Sequence, residues 1–235
     1  MELETQTIDV PAEGGSLPGC LARPKTADRS PAVLVIMEAF GLNAHIQDVT
    51  RRIAAEGYVA FAPDLYWRGG KGRTVRYDEL PAAIALMQTL RDDQVVADLR
   101  SAIAYLERQP FVRADRIGIT GFCMGGRISY LAAAELPDKI KATAPFYGGG
   151  IAVDRTPQVR APVLAFFGEK DPYIPPETVE ALRSALARRG KDGEVVVYPG
   201  ADHGFFCNER GSYQEAAAKD AWTRLLDFFA RHLKR

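Results

Sequence analysis

Ile117-Gly118-Ile119-Thr120-Gly121-Phe122-Cys123-Met124-Gly125-Gly126-Arg127 is the stretch from which the rest of the chain can be read. It joins a short apolar strand to a turn too tight for ordinary side chains. A helix then begins Arg127-Ile128-Ser129-Tyr130-Leu131. The turn fits G-x-C-x-G, the nucleophile-elbow pattern with cysteine in the place of serine. Gly121 and Gly125 are expected to flank the strained residue, because a Cβ there would collide as strand doubles back into helix. Cys123 then stands at the carboxyl end of the strand, its sulfur near the positive end of the helix dipole. A cysteine after an apolar run also fits a small buried hydrophobe, so the remaining sequence has to decide.

The chain has 235 residues, the size of one α/β domain, and residues 1–235 read as a single unit without repeats, low-complexity segments or linkers. With 47% hydrophobic and 26% charged residues it belongs with globular rather than disordered chains. Thirty basic residues balance 30 acidic ones, so no net field draws it to nucleic acid or to an anionic membrane. Met1-Glu2-Leu3-Glu4 lacks the basic flank and apolar core of a signal peptide. No apolar run approaches a membrane span. Cys20, Cys123 and Cys207 are widely spaced and odd in number, which suits neither a disulfide framework nor a zinc site. A reducing cytoplasm is the expected location, and no metal or organic cofactor is expected.

Strands and helices alternate along the sequence. Thr5 to Val10 and Gly19 to Ala22 read as short strands, and Pro31 to Ile36 as a strand buried on both faces. The loop Met37-Glu38-Ala39-Phe40-Gly41-Leu42-Asn43 follows, then a helix over Ile46 to Glu56 that Gly57 ends. Tyr58 to Ala62 is the next strand, and the aperiodic stretch from Arg68 to Tyr77 reads as a mobile surface loop. Helices are expected over Asp78 to Leu90, Val95 to Arg108, Gly126 to Glu135, Pro175 to Arg189 and Tyr213 to Leu233. The last of these is expected to bury Trp222, Leu225, Leu226 and Phe229. Further strands are expected over Arg116 to Thr120, Ile140 to Phe146, Pro162 to Phe167 and Glu194 to Tyr198. Such alternation predicts a mostly parallel central sheet of about eight strands with helices on both faces.

In sheets of this kind ligands bind beyond the carboxyl ends of the strands, and the reactive residues fall there. Gly168-Glu169-Lys170-Asp171-Pro172 follows one strand, and Pro199-Gly200-Ala201-Asp202-His203-Gly204-Phe205 follows another. Taken singly, Asp171 fits a turn-former before proline and His203 a loop histidine. Together, Cys123, Asp171 and His203 keep the nucleophile–acid–histidine order of the α/β-hydrolase fold. The histidine takes the nucleophile's proton, and the carboxylate orients the ring and stabilises the imidazolium.

These segments, with Ala62-Pro63-Asp64-Leu65-Tyr66 added, resemble the dienelactone hydrolase (carboxymethylenebutenolidase) family over nearly the whole chain. The resemblance implies Cys123, Asp171 and His203 as the triad and Glu38 as a further residue near the thiol. A carboxylate in the loop beside the elbow would compete with His203 for the thiol proton and protect the sulfur from oxidation at rest. Glu38 also fits a structural carboxylate at a helix start. Oxyanion donors are expected on the backbone N–H of Met124, after the nucleophile, and, by resemblance, of Ala39. The expected reaction is acyl transfer from a carboxylic ester or lactone, a small-molecule substrate, through an acyl-thioester on Cys123.

Members of the family that act on dienelactone are expected to hold its carboxylate with arginines. Cys207 stands at one such position after the histidine, and Leu80, Ile84 and Met87 surround the other. Arg73, Arg76 and Arg210 fit either a substitute clamp from other directions or, as expected, solvated side chains. Phe40, Tyr66, Trp67, Tyr147 and Phe205, with Cys207 at the edge, are candidates to line an apolar pocket or to pack the core. Cys20 is expected to be structural, His45 a surface or capping residue, and His232 a partner of the last helix's dipole. The same triad also fits a short-chain ester or thioester hydrolase that does not act on dienelactone. A thiol-redox protein is a further reading, although no resolving cysteine lies nearby in sequence. A non-catalytic binding protein of this fold commonly loses a triad member, whereas this chain keeps all three. Nothing in the sequence fixes an oligomeric state.

Overall fold

The computed structural model describes residues 2–26, 28–190 and 192–235. Strands β1 (Leu3–Ala12), β2 (Gly15–Pro24), β3 (Ser30–Ile36), β4 (Val59–Pro63), β5 (Val112–Phe122), β6 (Ala142–Phe146), β7 (Val163–Gly168) and β8 (Gly193–Tyr198) form one sheet. Their order is β1-β2-β4-β3-β5-β6-β7-β8. β1 runs antiparallel to β2 and β2 to β4, whereas β3–β4, β6–β7 and β7–β8 are parallel. Helices α1 (Ala44–Ala55), α2 (Leu80–Met87), α3 (Asp92–Glu107), α4 (Met124–Glu135), α5 (Pro176–Arg189) and α6 (Glu215–Leu233) alternate with the strands. The mostly parallel eight-stranded α/β architecture is the one the alternation predicts. Among the described residues no helix is long and apolar enough to cross a membrane.

Two compact units divide the chain, Met1–Gly118 and Ile119–Arg235, with the boundary inside β5. In the first, β1 and β2 are longer than expected and pair through ten residues, from Leu3 opposite Pro24 to Ala12 opposite Gly15. The tight turn between them holds because Gly14 and Gly15 take φ of 81° and 153°, conformations that need no Cβ. Asn43 caps α1 by accepting the N–H of Ile46, and Gly57 follows the helix at φ 90°. His45, expected at the surface or in the cap, is instead buried on the inner face of α1 beside Ile46 and Val49. Asn43 supplies the cap in its place. α2 is shorter than the apolar run suggested and starts beside Pro81, which fits a first turn where no N–H is needed. α3 begins at Asp92, three residues earlier than expected, because Asp92 and Asp93 suit the positive end of a helix.

In the second unit the core is aromatic. Phe122, Phe146 and Phe166 stack in sequence, with ring centroids 4.8 Å apart in the first pair and 4.3 Å in the second. Phe206 joins them from the loop after β8, 5.2 Å from Phe122. α6 buries Ala218, Ala221, Leu225, Phe228 and Phe229, while Trp222 and Leu226 are only half-buried. The buried stripe is therefore rotated from the one expected, towards the positions that Phe228 and Ala221 occupy.

Candidate active site

Cys123 sits at φ 54° and ψ −118°, between the last residue of β5 and the first of α4. Its N–H donates to Phe146 O at 3.1 Å, and its carbonyl accepts the N–H groups of Gly126 at 2.9 Å and Arg127 at 3.2 Å. Helix α4 therefore starts at Met124 rather than at Gly126. The left-handed strain falls on Cys123 itself, since neither Gly121 nor Gly125 is among the glycines with positive φ. Close backbone approach at the elbow is made by Gly126 and Gly148. A Cβ on Gly126 would lie 2.2 Å from Phe146 O, and one on Gly148 would lie 2.7 Å from Arg127 N. Strand β6 and helix α4 meet backbone to backbone there, which holds the elbow closed.

Asp171 follows β7 and His203 follows β8, and the two loops are tied together. Lys170 N–H donates to Ala201 O at 2.8 Å, and Glu169 N–H to Tyr198 O at 3.0 Å. Gly168 permits the contact, because a Cβ there would lie 2.5 Å from Ala201 O. His203 Nδ1 and Asp171 Oδ2 are 2.7 Å apart, and both residues are buried. Asp171 Oδ1 accepts the N–H of Tyr173 at 2.9 Å, so both carboxylate oxygens are engaged. Burial, the largest single influence on His203, works to lower its pKa. The Asp171 and Cys123 hydrogen bonds and the negative charges of both groups outweigh burial and raise it from 6.5 to about 9. The carboxylate and the sulfur thus both favour the protonated imidazole.

Two tyrosine rings touch the imidazole. Tyr147 is fully buried at φ 35°, with its centroid 5.1 Å from that of His203. Tyr173 lies 5.1 Å away at an interplanar angle of 83°. The sequence reading did not single out Tyr173, whose place two residues after Asp171 was the available signal.

The first unit holds Glu38 and Ala39. Glu38 is fully buried and its Oε2 accepts the Tyr77 hydroxyl at 3.0 Å. Asn43 Nδ2 donates to the same hydroxyl oxygen at 3.0 Å, and the Phe40 ring lies 4.6 Å from that of Tyr77. Ala39 O accepts the Tyr66 hydroxyl at 2.8 Å. The stretch from Arg68 to Tyr77, read from composition as a mobile loop, is fastened at several points. Gly72 N–H donates to Asp64 Oδ2 at 2.7 Å and Val75 N–H to Phe40 O at 3.1 Å. Burial raises the Asp64 pKa, and the N–H groups of Gly72 and Tyr66 work against that rise. Tyr77 escaped the sequence reading because its segment has no periodicity from which burial could be inferred.

Phe40, Tyr66, Trp67, Tyr147, Phe205 and Cys207 are all buried. Trp67 Nε1 donates to Asp98 Oδ2 at 2.9 Å, and Phe205 packs 5.3 Å from Tyr147. Arg73 and Arg76 are exposed as expected, with Arg76 paired to Asp78. Arg210 is half-buried instead, its guanidinium laid over Gly204 so closely that a Cβ there would lie 2.3 Å from Nη1. Leu80, Ile84 and Met87 are exposed along one side of α2.

Comparison with known proteins follows the same lines. The sequence model of the dienelactone hydrolase family matches residues 17–233. A Synechocystis sp. protein named "Putative carboxymethylenebutenolidase" is 39% identical over 100% of this chain and 99% of its own length. One of the same name from Salmonella typhimurium is 40% identical over 95% of this chain and 86% of its own. The crystal structure of "Putative Dienelactone Hydrolase" from Klebsiella pneumoniae superposes with a TM-score of 0.91 at 40% identity. That match covers 99% of this chain and 100% of the other. The family match, the near-complete relatives and the shared α/β-hydrolase architecture place this chain in the dienelactone hydrolase family.

Proposed function

We propose that this hydrolase cleaves carboxylic esters or lactones by two-step acyl transfer through a thioester on Cys123. The observation that carries the reading is the array of Asp171, His203 and Cys123, with the imidazole raised to about 9 between the other two. The Cys123 thiolate attacks the carbonyl carbon and forms the C–S bond. The tetrahedral oxyanion is received by the N–H of Met124, the first residue of α4. Ala39 supplies a second N–H on the strength of the family resemblance. As the C–O bond breaks, the His203 imidazolium gives its proton to the departing oxygen. The sulfur is now acylated and no longer supports the imidazolium, so neutral His203 takes a proton from water. The resulting hydroxide attacks the thioester, and departure of the thiolate restores the imidazolium–thiolate pair.

At the two positions where the resemblance expects arginines for a dienelactone carboxylate, the sequence has Cys207 and the apolar Leu80, Ile84 and Met87. This favours neutral ester or thioester substrates over dienelactone within the same mechanism.

Rapid-quench mass spectrometry with p-nitrophenyl acetate and with a dienelactone tests the reading. An acyl group mapped to Cys123 supports it. Turnover that proceeds without such a label and survives Cys123→Ala removes it.

Glu38 enters as a base that competes with His203 for the thiol proton, a role resting on the resemblance of its loop. Glu38→Gln is expected to change the rate of Cys123 alkylation by iodoacetamide together with ester turnover. Alkylation kinetics identical to wild type would take Glu38 out of the thiol's chemistry.

A further inference from the structure

We propose that Tyr173 selects the leaving group, favouring esters and lactones whose alcohol part is flat and unsaturated over those whose alcohol part is saturated. The inference rests on His203 acting as the acid and base of the proposed reaction. It starts from an exposure that packing does not explain. Tyr173 is 59% exposed, the most open of the large apolar side chains among the described residues. Its ring nevertheless stands 5.1 Å from the imidazole of His203, nearly perpendicular to it. Of the two tyrosines that touch His203, Tyr147 is fully buried and closed to any substrate, so only Tyr173 presents a face to solvent beside the histidine.

The side chain is held in place by its own backbone. Its N–H is bonded to Asp171 Oδ1, the carboxylate that also holds His203. Pro172 precedes it, and Ile174, next in the chain, is buried. Pro175 then leads into α5. Prolines restrict the backbone on both sides of this segment, so little backbone freedom is left to lose on binding.

Why the alcohol part and not the acyl part is read follows from the proton's path. During acylation the acyl carbon is attached to sulfur, whereas the departing oxygen must come within hydrogen-bond reach of His203 to receive its proton. Atoms bonded to that oxygen then lie next to the imidazole, whose solvent-exposed neighbour is the Tyr173 ring. An aromatic ring there gains an edge-to-face or offset contact with another π system that a saturated group does not offer.

Phenyl acetate and 2,2,2-trifluoroethyl acetate are the probes: both are activated and share one acyl group, but only the first has a flat leaving group. In Tyr173→Ala, kcat/KM for phenyl acetate is expected to fall about three- to tenfold, while that for trifluoroethyl acetate changes by less than about twofold. Tyr173→Phe keeps the wild-type ratio of the two. The ring is largely in solvent and its backbone bond to Asp171 survives substitution, so these variants retain the fold. Equal losses on both esters would mean that the ring acts only through His203, and no loss on either would mean that it touches neither; both overturn the proposal. If Cys123→Ala leaves turnover of both esters intact, the proposed mechanism fails first and this inference with it. Loss of turnover in Cys123→Ala, with an unaltered ester ratio in Tyr173→Ala, defeats the inference alone.

Discussion

Cys123→Ala is expected to lower kcat/KM for activated esters by roughly 10⁴- to 10⁶-fold, the scale on which removal of a nucleophile within a catalytic array acts. The loss is chemical and not structural. Alanine carries the same Cβ as cysteine, so it meets the same strain at φ 54° and leaves the backbone bonds from Phe146, Gly126 and Arg127 in place. Thermal unfolding of the variant should therefore stay close to that of wild type while turnover disappears. The variant also reports on its neighbour. Cys123 contributes both a hydrogen bond and a charge to holding His203 at about 9, so the imidazole should titrate at lower pH once the sulfur is gone. An NMR pH titration of His203 measures this directly. A histidine midpoint unmoved by the substitution would show that the sulfur is not its partner.

Asp171→Asn has an expected cost of about 10⁴-fold in kcat, because an amide in that place neither stabilises the imidazolium nor enforces the tautomer that faces the nucleophile. Its effect on pH dependence has a definite sign. A histidine raised on folding from 6.5 to about 9 adds stability that is fully present below the lower value and is lost as pH rises through the upper one. Wild-type stability is therefore expected to decline between about pH 6.5 and 9, and to decline less in Asp171→Asn, where the raised pKa relaxes downwards. The alkaline limb of kcat/KM, which reports the free enzyme, should fall with a midpoint near 9 in wild type. Guanidinium-induced unfolding at a series of pH values and a pH–rate profile provide the two measurements. Identical profiles for wild type and variant would separate Asp171 from the histidine.

What the sequence made legible follows from which physical signals are local. Apolar runs such as Pro31 to Ile36 announced strands buried on both faces, and the positions of Asp171 and His203 after two strands announced that these two would meet. β1 was underestimated because half of its residues are exposed, so half of its length carries no apolar signature. His45 misled because its burial depends on what packs over α1 and not on its own neighbours in sequence. The strain expected at the elbow falls on Cys123, the residue that the pattern sets between its two glycines. Tyr77 and Tyr173 were invisible for a related reason. Each acquires meaning only from a partner 39 or 30 residues away, Glu38 for one and His203 for the other.

The elbow leaves one choice open. The restraints described above are backbone bonds and backbone contacts: Phe146 O to Cys123 N, Cys123 O to Gly126 and Arg127, and Gly126 against Phe146 O. None of these consults the atom on the Cβ of residue 123. An oxygen in place of the sulfur would be presented from the same point at the same conformational cost, so the frame itself does not distinguish a thiol enzyme from a serine one. On the proposed mechanism that preference resides in the surroundings of His203, whose pKa the sulfur helps to raise. A lineage of this fold could therefore exchange one nucleophile for the other by retuning the surroundings of His203, without rebuilding the turn.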